Sequence, residues 1–156
     1  MAWELWFFVH LVGVLAFVGA HGASMFVLYR VRAERDRRKI AEMIAFSGTT
    51  TKPMYIALGV LVVGGVGTAI TLHVLAAWWL WISIVILLVT IGLMSALAKP
   101  YFQKITAACE VRPSGVPRVS DEELNELLRS GEAHVITAIG GIGLLAILYL
   151  MVFKPF

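Results

Sequence analysis

Four apolar runs, each long enough to cross a bilayer, leave this chain few folds to adopt. They extend from Trp3 to about Tyr29, from Pro53 to about Ala77, from Trp78 to Ala98, and from about His134 to Phe153. A membrane-spanning helix needs about 20 predominantly apolar residues. Backbone amides in hydrocarbon must bond within their own segment, so runs of this length read as helices. The composition agrees: 60% of the 156 residues are hydrophobic and 15% are charged, against about a quarter charged in a soluble domain. The expected fold is all-α, one integral membrane four-helix bundle spanning residues 1–156.

Charge sets the expected direction. Arg30, Arg32, Arg35, Arg37, Arg38, Lys39 and Lys52 lie between the first two runs, and Lys99, Lys104, Arg112, Arg118 and Arg129 between the last two. These are 12 of the 13 basic residues, with Lys154 the exception. Excess Lys and Arg in short loops marks the cytoplasmic face, so both termini are expected outside. The first run is expected to be a retained span rather than a cleaved leader, because its basic residues follow the apolar stretch. The tight link "LAAWWLW" between runs two and three suits the headgroup region, where indole rings settle. The expected location is the inner membrane of a bacterium, as a multi-pass protein in contact with the lipid bilayer.

The loops offer little room for a separate domain. "RVRAERDRRKIAEMIAFSGTTTK" is expected to be helical near its start, extending span one. In the third loop, Ser120 and Glu123 form a capping box ahead of a short amphipathic helix. Its Leu124, Leu127 and Leu128 fall on one face. That helix is expected to lie at the membrane surface, with docking of another subunit as the alternative. A net charge of +3, with no phosphate loop and no nucleic-acid signature, points away from nucleic acid. The single cysteine, Cys109, can form no internal disulfide.

"HLVGVLAFVGAH" begins and ends with histidine inside the first run. Eleven residues are close to three helical turns, so His10 and His21 share a face, ~16 Å apart along the axis. Ionisable residues at such depth are costly and tend to mark function. Apart from Glu4, which interrupts the first run near its start, the spans hold no acid to partner a proton relay, whereas neutral imidazole ligates haem iron and copper well. Depth along the helices pairs His10 with His73 near the outer face. It pairs His21, less closely, with His134 near the inner face. Met25, one turn beyond His21, is a soft donor suited to Cu(I), although such a methionine more often fills a core gap. The small residues of "GVLVVGGVGTA", 59–69, suit close helix packing better than a cofactor box.

The start of the chain, "ELWFFVHLVGVLAFVGAHGASMFVLYRVR", resembles the first span of a bacterial family of four-helix membrane proteins of unknown function, itself similar to copper-resistance-D (CopD) proteins. The resemblance rests on Leu11 after His10, on Gly19-Ala20, and on "GVGTAITL" and "WLWISIVILLVTIGLMSALAKP" in spans two and three. Thr68 departs from the pattern. The resemblance implies copper handling or haem-linked redox chemistry, and of the four histidines it carries over only His10 with clarity.

Together these readings give an expectation: a small b-type haem protein for electron transfer, a candidate membrane subunit of a redox complex. His10 and His73 would hold an outer haem, and His21, with His134, an inner one. A redox partner subunit or a quinone is the expected exchange partner. The alternatives are copper handling along His10, His21 and Met25, and a non-catalytic accessory or assembly subunit.

Overall fold

The structure, a computed structural model, describes residues 2–155. It is all-α: α1 (Ala2–Ala33), α2 (Arg37–Thr71), α3 (Trp78–Cys109), the short α4 (Asp121–Arg129) and α5 (Glu132–Phe153). Four segments are long and apolar enough to cross a membrane, namely α1, α2, α3 and the stretch Asp121–Phe153 that contains α5.

The charged first loop is far shorter than its sequence suggests. Three residues separate α1 from α2. The Glu34 carboxylate accepts the backbone N–H groups of Arg35 (3.0 Å) and Asp36 (3.2 Å). Asp36 then caps α2, accepting from the N–H groups of Arg38 and Lys39. Residues 37–52, expected to be loop, are instead the first part of α2, which continues through Pro53. Tertiary packing carries it past the proline: Ile40 and Ile44 are buried beside Val27, Leu28 and Val31 of α1. At 35 residues, α2 is ~52 Å long and exceeds the hydrocarbon thickness of about 30 Å.

At the other end α2 stops at Thr71, six residues before the expected end of the span. The Leu72 and His73 N–H groups bond to Thr68 O and Ile70 O, and the Val74 N–H to Ala69 O. His73 takes a left-handed backbone, φ 56°, a region where His is enriched among non-glycine residues. The indole N–H of Trp81 closes the turn on Leu75 O at 2.9 Å.

The spans pack as two antiparallel pairs, α1 with α2 and α3 with α5. The pairs are tied at both ends. At one end Ala69, Trp79, Leu80 and Leu150 cluster. At the other, a larger core joins α1, α2, α3 and α5 through Val31, Ile40, Tyr101, Ile105 and Ile136. Leu124 and Leu128 of α4 are buried in that same core. The apolar face expected to meet the membrane surface thus turns Leu124 and Leu128 into the chain's own core, with Leu127 partly buried beside them. The capping box is present as expected, with the Glu123 N–H on Ser120 Oγ (3.1 Å) and the Ser120 N–H on Glu123 Oε2 (3.0 Å).

Two arginines lock this end. Arg37 reaches Ala108 O at 2.5 Å, Val119 O at 3.0 Å and Asp121 at 2.6 Å, tying α2 to the end of α3 and the start of α4. Arg32 donates to Ser130 O (2.9 Å) and Arg129 O (3.3 Å). It thus places a cation where the α4 carbonyls run out, as the helix dipole favours.

Candidate cofactor site

The α1–α2 seam is built around glycine. A Cβ at Gly13 would lie 2.6 Å from Leu61 Cα, and one at Gly64 would lie 2.7 Å from His10 Cα. Backbone meets backbone at both points, so small residues let the helices approach as they do in membrane bundles. The seam's register follows: His10 stands level with Gly64, and Ser24 bonds Thr50, 26 residues away along the chain, at 2.8 Å.

Close approach brings the His10 ring, which is half-buried, onto α2. Its Nδ1 lies 2.8 Å from Leu61 O. A carbonyl oxygen can only accept, so Nδ1 carries the proton. In the neutral ring Nε2 then keeps its lone pair, which is the tautomer a metal ligand needs. The ring lies across Gly65, where a Cβ would sit 3.0 Å from Nδ1 and 3.2 Å from Cε1. The glycine doublet therefore packs helices and leaves room for an imidazole at the same time.

His21, also half-buried on the same stripe of α1, faces the other helix pair. Its ring stacks on Phe17, centroids 5.8 Å apart and planes 6° from parallel. Its Nε2 lies 3.3 Å from the point where a Cβ of Gly140 would stand, and Met94 Sδ lies 3.5 Å from that point. Imidazole and thioether thus converge on the gap that Gly140 leaves between α1, α3 and α5. Met25, the thioether suggested by sequence spacing, is instead 42% exposed.

The two expected histidine pairs are not assembled. His10 is level with Gly64, and His73 lies nine residues farther along, ~13 Å of helical rise, exposed in the turn. The depth match assumed a helix reaching Ala77, whereas α2 ends at Thr71. His21 is level with Gly140, and His134 lies six residues before it, ~9 Å away along α5. His134 is exposed; its Nε2 is 3.3 Å from an Arg32 Nη2, and its ring lies 5.9 Å from that of Tyr29. The guanidinium can only donate, so this Nε2 lone pair is already used.

Among the described residues no cluster of three or more His, Cys, Asp or Glu side chains could hold a metal ion. His10 has its tautomer fixed by Leu61 O, which leaves the lone pair on Nε2. Met94 was missed in the sequence, because nothing in linear spacing ties it to His21. The Leu61 carbonyl, a backbone group, left no trace there either. Compared with known protein families, curated proteins and solved structures, the chain matches none.

Proposed function

We propose that this chain is a multi-pass protein of a bacterial inner membrane that holds a b-type haem through His10 and serves electron transfer, as the membrane subunit of a redox complex. The observation that carries this reading is the 2.8 Å contact of His10 Nδ1 with Leu61 O, which presents Nε2 as a ligand from a half-buried position. A haem bound there would supply one-electron oxidation and reduction. The chain supplies the rest. Leu61 O fixes the tautomer and orientation of the ring, Gly64 and Gly65 admit it against α2, and the apolar spans exclude water. The basic asymmetry supports both termini outside, which puts His10 nearer the outer face. The resemblance of α1 to CopD-like proteins, carried by His10-Leu11 and Gly19-Ala20, fits the same reading.

One observation favours a second reading, copper handling: the convergence of His21 and Met94 on Gly140, a nitrogen and a soft sulfur suited to Cu(I). One set of titrations separates the readings. The purified chain should take up about one haem, His10→Ala should take up none, and His73→Ala and His134→Ala should match the wild type. A colourless chain that binds Cu(I), and loses it on His21→Ala or Met94→Leu, would replace haem with copper. Uptake of neither would leave an accessory subunit whose histidines only join helices.

A further inference from the structure

Near the end of α3 that carries the basic residues, a groove of about 720 Å³ opens between α3, α4 and the segment that links them. Lys104, Arg112 and Arg118 line it above a floor that includes Ala107, Val119 and Leu127. The linking segment is a tight hairpin. Arg112 N–H bonds Val116 O (2.9 Å), Arg118 N–H bonds Glu110 O (3.1 Å), and Gly115 at φ 81° makes the turn. Two of the three cations are engaged by carboxylates at the rim: Arg118 with Glu110 at 3.0 Å and Lys104 with Glu132 at 3.4 Å. The Arg112 guanidinium has no such partner among the described residues.

The depth of the groove is informative. Trp81, at the opposite end of α3, bonds into the turn that closes that face of the bundle. Lys104 lies 23 residues farther along the helix, a rise of ~34 Å. The hydrocarbon core is about 30 Å thick, and the bilayer with its headgroups about 40–45 Å. With α3 crossing along the bilayer normal and Trp81 at the opposite interface, that rise would put Lys104 at the level of the lipid phosphates.

We propose that this groove binds the phosphate of an acidic phospholipid headgroup, held by Arg112 and Arg118 with Lys104 beside it. Guanidinium groups match phosphate oxygens in a bidentate fork. Basic recesses beside the ends of membrane helices are suited to anionic headgroups. The same cations would suit a soluble phosphate, but the depth of Lys104 and the apolar floor favour lipid. The proposal rests on the helices crossing a bilayer and is independent of any haem at His10.

The full chain would be released from vesicles of phosphatidylcholine with a minority of phosphatidylglycerol, and its retained lipid measured by native mass spectrometry. The wild type should retain phosphatidylglycerol over phosphatidylcholine. Arg112→Ala, which removes no side-chain hydrogen bond or ion pair among the described residues, should lower that retention about fivefold. Glu110→Gln, which frees Arg118 from its carboxylate, should raise it. Equal retention in wild type and Arg112→Ala, with helix content unchanged, would overturn the proposal. So would binding of inorganic phosphate by the detergent-solubilised chain, lost in Arg112→Ala, without any preference for phosphatidylglycerol. That result would assign the groove to a soluble phosphate.

Discussion

Gly64→Ala tests the seam on which the His10 geometry depends. The added Cβ would stand 2.7 Å from His10 Cα and 2.9 Å from the Val9 carbonyl carbon, whereas carbon atoms in contact sit about 3.5–4.0 Å apart. No rotamer relieves a backbone clash, so α1 and α2 must separate by roughly 1 Å. That movement stretches the 2.8 Å contact of His10 with Leu61 O beyond about 3.5 Å, where it ceases to be a hydrogen bond. Overpacking costs about 1–3 kcal/mol, and an interhelical bond in a membrane about 0.6 kcal/mol. The combined loss is roughly 1.5–3.5 kcal/mol. Ala recovers up to ~1 kcal/mol of helix propensity over Gly, so the comparison needs a control that gains the same. Gly19→Ala provides it, since nothing lies within 4 Å of a Cβ there. Unfolding of both variants in mixed micelles, followed by circular dichroism, should place Gly64→Ala below Gly19→Ala by that amount. Gly64→Ala should also lose haem affinity. Equal stabilities would refute the close approach and with it the fixed tautomer of His10.

Four further outcomes follow from the inner end and the topology. Arg37→Ala should lower stability by roughly 2–3 kcal/mol, because its guanidinium, 12% exposed, serves two backbone carbonyls and Asp121; Arg37→Lys should not restore it, and a thermal melt unchanged in both would contradict the staple. Leu128→Ala should cost about 2–5 kcal/mol, since the side chain is 1% exposed in the chain's own core; an unchanged melt would contradict that burial. The Glu34 carboxyl should titrate below the ordinary glutamate range, held there by the backbone N–H groups of Asp36 and Arg35; a depressed folded pKa stabilises above the unfolded value and is lost as pH falls through the folded one, so amide exchange at Arg35 and Asp36 should quicken only in that acid window and lose its pH step in Glu34→Gln. A reporter fused to the C-terminus should be active only outside the cytoplasm, and cytoplasmic activity would invert the orientation.

The helical spans were legible because lipid imposes long apolar runs and satisfied backbones. Their ends were less so. Pro53 reads as a helix start, yet burial of Ile40 and Ile44 extends α2 sixteen residues before it. Thr71 reads as mid-span, yet a left-handed His73 ends the helix there and removes the depth match with His10. The capping box at Ser120 was readable from four residues, since it is local. The destination of Leu124 and Leu128 was not, because an amphipathic face looks the same whether it meets lipid or its own core. His10 and His21 were legible as a shared, partly buried stripe. What each faces was not: one partner is a main-chain carbonyl, and the other a methionine 73 positions away.

The most direct test of His10 as the haem ligand is the absorption spectrum of the purified chain after haem is supplied. If His10 holds the haem, as the contact of its Nδ1 with Leu61 O suits it to do, the chain supplied with haem should show a Soret band. The band should vanish in His10→Ala and persist unchanged in His73→Ala, His21→Ala and His134→Ala. A band that survives His10→Ala in folded protein, or a low-spin spectrum abolished by His73→Ala, would contradict the account.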